Sequence, residues 1–222
     1  IFQTHKSFKY IQSKKKLLDG VKSWMNSSHK FKYFFYDNEM CDNFIFTNFS
    51  ADIYKAYKKL PLDVMKADLW RYCVIYFFGG IYADADTIVK INPHIFLNDS
   101  LLTVVAENKT HICQWFFAAP KKSPILRIII DLAVERILTI TEIKGEHIIH
   151  YLTGPGVFTD GIRKYLINNN KHNYNNQKKY FYNQIPEIKF LNHNIFHNKL
   201  IIHLYAGQDD DGWYHERFLK LI

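Results

Sequence analysis

Residues 66–86 read KADLWRYCVIYFFGGIYADAD, and the reading of this stretch decides the fold. Val64, Asp68, Arg71, Ile75 and Phe78 recur at helical spacing, which predicts a helix from Leu62 to Phe78. Asp68 and Arg71 are three apart and share a face. Pro61 and Asp63 suit the start of that helix and Gly79-Gly80 its end. Ile81-Tyr82-Ala83 is β-like. Residues two apart in a strand point the same way, roughly 7 Å apart. Asp84 and Asp86 are therefore expected on one side of the strand's carboxyl end, where open α/β sheets bind ligands.

Two carboxylates in that position match a hard cation. Mg²⁺ or Mn²⁺ is typically held by one or two carboxylates plus substrate phosphates. Such an ion neutralises charge that builds on a departing diphosphate. A lone Asp-x-Asp is a common surface turn, and an exposed Asp-Arg pair contributes little. The joint pattern is more specific: a helix with Asp-x-x-Arg, a Gly-Gly break, then Ile-Tyr-x-Asp-x-Asp.

Upstream, Ile1 to Thr4 reads as the end of a strand, Lys14 to Met25 as a helix and Lys32 to Tyr36 as a second strand. This βαβ beginning suits a parallel, nucleotide-binding sheet. Phe44 to Tyr57 reads as short helical pieces. Downstream, Ile88 to Ile91 either extends the strand before the aspartates or begins another, and Asn92-Pro93 is a turn. Leu101 to Ala106 and Cys113 to Ala119 read as strands. Ser123-Pro124 is a helix opening, with Ser123 as N-cap and the helix running from Ile125 to Leu138. Thr153-Gly154-Pro155-Gly156 is a tight turn before a helix from Val157 to Leu166. A turn at a helix N-terminus can offer N–H groups to an anion, or be purely structural. Asn168 to Asn176 is a polar loop with no chemistry of its own. Lys199 to Tyr205 reads as a strand ending near His203. The following Asp209-Asp210-Asp211 is either a solvated turn or a source of one more metal ligand.

The 222 residues, 48% hydrophobic, fit one domain spanning 1–222 with a substantial core. The net charge of +8 favours anionic partners: a sugar diphosphate, nucleic acid or an anionic membrane surface. Its lysines are scattered, as in Lys14-Lys15-Lys16, Lys58-Lys59, Lys121-Lys122 and Lys178-Lys179, and read as solvated faces. Cys41, Cys73 and Cys113 are odd in number and lack a Cys-x-x-Cys, which argues against a disulfide framework and a structural zinc site. No apolar run approaches the length of a membrane span. Ile1-Phe2-Gln3-Thr4 has no signal-peptide character. It reads as mid-strand, so an upstream segment, including a membrane anchor, is expected to be compatible with this chain.

The runs Lys66-Ala67-Asp68-Leu69-Trp70-Arg71-Tyr72 and Gly79-Gly80-Ile81-Tyr82-Ala83-Asp84-Ala85-Asp86-Thr87 resemble the Asp-x-Asp glycosyltransferases of family 32. These include the initiating α-1,6-mannosyltransferases and the sphingolipid mannosyltransferases. The chain is more distantly similar to the glucosylating domains of clostridial toxins. The resemblance implies an α/β, GT-A-like fold with a central mixed, mostly parallel sheet flanked by helices. It implies a UDP- or GDP-sugar donor, Mn²⁺ or Mg²⁺ as cofactor, retention of configuration, and a glycan, glycolipid or protein acceptor. It carries over Asp84, Asp86 and Arg71 as catalytic residues and Asp84, Asp86 and His203 as the metal set. Asp68, Arg71, Tyr82, Gln114 and Trp213 become substrate contacts, with Trp213 closing over the donor. Read without the resemblance, Gln114 is a strand-edge glutamine and His203 a structural histidine. At Gln3-Thr4-His5-Lys6 the family often has Trp where this chain has His5, which is read equally as a nucleotide-pocket residue or a loop residue. In the family the leaving phosphate itself assists the acceptor hydroxyl.

Three other readings compete. Ile81 to Thr87 also resembles the first motif of haloacid-dehalogenase-like phosphohydrolases, in which the first Asp is a covalent nucleophile. That motif normally opens its domain, whereas here some eighty residues precede it. A basic, non-catalytic nucleic-acid or membrane-surface binder predicts a basic stripe with interleaved aromatics, and the clustered carboxylates repel phosphate unless a metal intervenes, so no nucleic-acid partner is expected. A degenerate transferase that binds sugar nucleotide without transferring it is opposed by the intact Asp84 and Asp86.

Overall fold

The computed structural model describes residues 1–106, 108, 110–169, 186–208 and 213–221. Most of the polar loop expected from Asn168 to Asn176, and all of Asp209-Asp210-Asp211, lie outside the described residues. The first half runs β1 (Phe2–Thr4), α1 (Phe8–Ser13), α2 (Lys15–Met25), β2 (Phe34–Tyr36), α3 (Asn38–Asn48), α4 (Ala51–Lys59), α5 (Asp63–Phe78), β3 (Gly80–Ala83) and β4 (Thr87–Val89). The second half runs β5 (Leu102–Val105), β6 (Phe116–Ala119), α6 (Pro124–Thr139), α7 (Ile148–Leu152), α8 (Pro155–Asn168), β7 (Ile188–Leu191), α9 (His193–Ile195), β8 (Ile201–His203) and α10 (Trp213–Leu221). Among the described residues no helix is long and apolar enough to cross a membrane.

Six strands form one mixed sheet in the order β2-β1-β3-β6-β5-β7. β1 pairs in parallel with β2 and β3, and β5 with β7, while β6 runs antiparallel to both β3 and β5. The α/β, mostly parallel architecture expected from the sequence is therefore the one found. Strand alternation divides the core. Phe2, Tyr82, Phe117, Leu102 and Val104 face the cluster built with α5, α6 and α8. Ile1, Ile81, Ala83, Phe116 and Val105 face the opposite cluster, with Trp24, Phe96 and Phe196.

Helix α5 is the buried axis of the first cluster. The helical spacing of Val64, Asp68, Arg71, Ile75 and Phe78 predicts this element but does not bound its buried surface. The whole middle is buried, including Met65, Leu69, Trp70, Tyr72 and Cys73, whereas Phe78 is exposed. The helix lies between the sheet and helices α3 and α6, so no face is left for solvent. Gly79 ends it at φ 73°, its N–H donating to Ile75 O at 2.8 Å. A side chain there would also meet the backbone of Lys121.

Several expected boundaries move. The residues after the aspartates begin a new strand, β4, which pairs antiparallel with β8 in a separate two-stranded sheet. Asn92-Pro93 opens a 3-10 turn, with Asn92 Oδ1 accepting from His94 N–H. Ser123 stands at the N-cap position but does not cap, because its hydroxyl donates to Leu101 O at 2.7 Å. The strand expected from Cys113 starts only at Phe116; before it, Cys113 N–H still donates to Val105 O, and Gln114 turns to the Arg71–Asp68 pair. All three cysteines are buried and free.

Helix α2 lies on the loop that carries Asp84 and Asp86. Its contact residue is Gly20, where a Cβ would stand 2.3 Å from Ala85 O and 3.0 Å from Thr87 O. Overpacking against backbone that cannot yield costs about 1–3 kcal/mol. Gly20→Ala should lower unfolding stability by that amount, read from the midpoint of a urea transition; an unchanged midpoint would show that α2 is not held against this loop.

Candidate active site

The loop after β3 is held by its own backbone. Asp84 N–H donates to Trp115 O at 2.8 Å. Asp84 O accepts from Gln3 Nε2 at 2.9 Å, Thr87 Oγ1 at 2.6 Å and Thr87 N–H at 3.2 Å. Gln3 is fixed in turn by the Tyr33 hydroxyl and Thr87 by Trp24 Nε1–H. Gln3 and Thr87 are fully buried. A carbonyl with three donors is pinned, so the side chains on either side of it project in fixed directions.

Asp86 is fixed from the other end of the chain. Its carbonyl accepts from Leu204 N–H at 2.8 Å, and its Oδ2 from Ala206 N–H at 2.9 Å. The β4–β8 register places His203 opposite Thr87, with His203 Nε2 3.7 Å from Asp86 Oδ1. Asp84, Asp86 and His203 thus each offer a ligand atom, all within 4.8 Å of one another. Burial pushes the Asp86 carboxyl up; His203 pulls it down and Asp84 pushes it further up. Two carboxylates this close, one of them 9% exposed, suit a cation between them. His203 Nδ1 accepts from Tyr205 N–H at 3.0 Å, so in the neutral ring the proton is on Nε2.

Behind the loop lies a buried ion network. Arg71 Nη2 is 2.9 Å from Asp68 Oδ1 and 3.3 Å from Asp84 Oδ1. Arg71 Nη1 donates to both the backbone and side-chain oxygens of Gln114. Gln114 Nε2 donates to Asp68 Oδ1 and Thr153 Oγ1 to Asp68 Oδ2. The Tyr82 hydroxyl donates to Asp84 Oδ1, and the Arg71 guanidinium lies 4.6 Å from the Tyr82 ring centroid. Arg71 is held firmly protonated: burial alone would lower it, but Asp84, Tyr82 and Asp68 outweigh that. Burial pushes Asp68 up to about 6 against the pull of Arg71 and Thr153. Arg71 Nε is buried with no hydrogen-bond partner among the described residues, which leaves a donor for a ligand.

A cleft of about 360 Å³ opens over this floor, lined by Arg71, Tyr82, Asp84, Asp86 and Trp213 among others. That is the size of a small-molecule site. The structure brings Asp84, Asp86, His203, Arg71 and Tyr82 together, and sets Trp213 on the cleft wall against Gly207. His5 also lines the cleft, its ring stacked on Tyr10 at 4.9 Å. Asp68 and Gln114 are not on the cleft surface; they brace Arg71 from behind. Gln3, Trp24, Thr87 and the Thr153 side chain carry roles that sequence reasoning did not assign. Gln3, Thr87 and Thr153 stood inside noted motifs, but the contacts of Thr87 with Trp24 and of Thr153 with Asp68 span distant parts of the chain and leave no local signature.

Because burial raises Asp68, the folded protein binds that proton more tightly than the unfolded chain does. The stability this brings is fully present below about pH 4 and is lost as pH rises through about 6. Asp68→Asn removes the titration. Over that window wild-type stability should fall relative to the variant by on the order of 2–3 kcal/mol, measured by urea denaturation at a series of pH values; parallel curves would refute it.

A family model described as the glycosyltransferase sugar-binding region containing the DXD motif matches residues 14–130. The initiation-specific α-1,6-mannosyltransferase of Candida albicans is 24% identical, covering 69% of this chain and 49% of that one. The enzyme of the same name from Schizosaccharomyces pombe is 26% identical, covering 68% and 45%. The chain spans about half the length of these curated relatives. An uncharacterized glycosyltransferase of Acanthamoeba polyphaga mimivirus is 36% identical across 32% of this chain and 28% of its own. In structure, the PaToxG glycosyltransferase superposes with a TM-score of 0.54 at 17% identity, covering 80% of this chain and 75% of that one, a likeness of fold. With both motifs of the site inside the matched span, the chain belongs to the family of glycosyltransferases whose sugar-binding region contains the DXD motif.

Proposed function

We propose that this chain is a metal-dependent, retaining glycosyltransferase. It moves a hexose, with mannose the first candidate, from a UDP- or GDP-sugar to a hydroxyl of a glycan, glycolipid or protein. The observation that carries this is the Asp84, Asp86 and His203 cluster at the floor of a ligand-sized cleft, beside a buried arginine with an unused donor. The names of the fungal relatives support mannose. Family membership weighs against a phosphohydrolase, as does the place of β3 as the third strand of an established sheet.

Asp84 and Asp86 would hold Mn²⁺ or Mg²⁺, hard cations suited to carboxylate oxygens. When bound, the ion supplies Lewis-acid neutralisation of the leaving diphosphate. His203 completes the set in space. With Nδ1 committed to Tyr205 N–H, it serves as an Nε2–H donor to a phosphate oxygen or to Asp86. Arg71, fixed by four oxygens, offers Nε to the donor in a set orientation, and orientation is what such a contact contributes. Trp213 closes one wall of the cleft. Neither Asp68, locked behind Arg71, nor Asp84, tied to Tyr82 and Arg71, is presented as a nucleophile. The family resemblance, rather than this geometry, implies that the donor's own leaving phosphate takes the acceptor proton.

A ligand that binds only the folded state raises the melting temperature. UDP- or GDP-sugars should do so with Mn²⁺ and not without it. Asp86→Asn should abolish that metal-dependent shift while leaving the unliganded melting temperature near wild type. A shift that survives in Asp86→Asn would sink the assignment. His203→Ala should keep Mn²⁺ dependence but weaken donor binding by roughly tenfold, the loss of one charge-assisted hydrogen bond.

A further inference from the structure

Residues 5–18 hold five lysines, Lys6, Lys9, Lys14, Lys15 and Lys16, and no carboxylate. They form α1, the start of α2 and the loop before them. Helix α2 buries Leu17, Gly20, Val21 and Trp24 against the protein, so Lys15, Asp19 and Lys22, at helical spacing, face outward. Asp19 is the one acid in the sequence from residue 5 to residue 25 and pairs with Lys15 at 2.6 Å. Lys6, Lys9, Lys16 and Lys22 are exposed. One apolar side chain protrudes between Lys6 and Lys9: Phe8, 39% exposed. The same segment rims the cleft, whose lining includes Lys6, Lys14, Lys15 and Lys16.

We propose that this face docks on an anionic lipid bilayer and so brings the mouth of the cleft to a lipid-borne acceptor; the acceptor half rests on the glycosyltransferase reading. Clustered lysines are drawn to the negative surface potential of anionic lipids. An exposed apolar side chain set among them enters the boundary between headgroups and acyl chains. Neither signal alone anchors a protein well, and here both share one face. The chemistry fits lipid better than nucleic acid. Binding single strands takes aromatic rings free to stack on bases, whereas Tyr10 is stacked on His5 and has the Lys6 and Lys14 ammonium groups within 6 Å of its ring centre. Phe8 meets Phe35 edge-on and leaves an apolar tip rather than a platform.

The test is co-sedimentation with sucrose-loaded vesicles, either phosphatidylcholine alone or phosphatidylcholine with phosphatidylserine. No donor or metal is added. The protein should sediment with the serine-containing vesicles and not with the others. Lys9→Glu with Lys22→Glu should weaken that binding by at least about tenfold. Phe8→Ser should weaken it at unchanged charge. None of these residues lines the cleft, so melting temperature and metal-dependent donor stabilisation should stay near wild type in the lysine variant. Failure to sediment, or sedimentation indifferent to the lysine reversals, overturns the proposal. Displacement by single-stranded RNA at equal phosphate, with Phe8→Ser without effect, assigns the face to nucleic acid and overturns it too. Since vesicle binding needs neither donor nor metal, its failure leaves the transferase reading standing, and loss of the donor shift leaves the lipid result standing.

Discussion

The structure depends on keeping one guanidinium charged out of water. Arg71 is 4% exposed, and a buried charge is tolerated only when its partners are in place. The surrounding chain is arranged to supply them. Asp68 sits one turn earlier on the same helix. Asp84 comes from the strand that follows. Gln114 arrives from the residues just before β6, and Thr153 reaches over from the turn before α8 to hold the far oxygen of Asp68. Four segments converge on one cation, whose Nε stays buried without a hydrogen-bond partner among the described residues. A buried network of this kind adds little net stability, since removing ions from water costs about as much as their attraction returns. Its value here is orientation.

The sheet supports this economy. The short β3 delivers the aspartates at its carboxyl end, flanked by parallel β1 and antiparallel β6. The loop beyond is pinned chiefly through its backbone. The main-chain groups of Asp84 and Asp86 are held by Gln3, Thr87, Leu204 and Trp115, while one oxygen of each carboxylate is also engaged, Asp84 Oδ1 by Tyr82 and Arg71 and Asp86 Oδ2 by Ala206 N–H.

Much of this could be read from the sequence where the signal is local. Asp68 and Arg71 are three apart on a helix, Gly79-Gly80 ends it, and Asp84 and Asp86 alternate after a strand. The first two relations are fixed by the geometry of a single helix, whereas Asp84 and Asp86 stand in the turn beyond β3 and are placed by contacts from distant segments. The parallel β1–β2 pairing followed from a short strand-helix-strand pattern. What escaped were relations between elements. The spacing on α5 found the helix but not the extent of its burial, because a middle buried on all sides has no periodic boundary to detect. Ser123 looked like a cap, but the nearby Leu101 carbonyl competes for its hydroxyl. Gln114 read as a strand residue, whereas β6 begins only at Phe116 and Gln114 turns to the Arg71–Asp68 pair. Gln3, Trp24 and Thr87 act through partners far along the chain, and no spacing rule connects them.

The contact between Ala206 N–H and Asp86 Oδ2 joins residues 120 positions apart. Synthesis proceeds from the N-terminus, and contacts between distant segments form late because the loop they close must first be ordered. The two aspartates thus exist, on a nearly finished sheet, well before the strand that completes their surroundings. Competence to hold a charged ligand is then one of the last properties the folding chain acquires, which makes ligand affinity a reporter of finished folding.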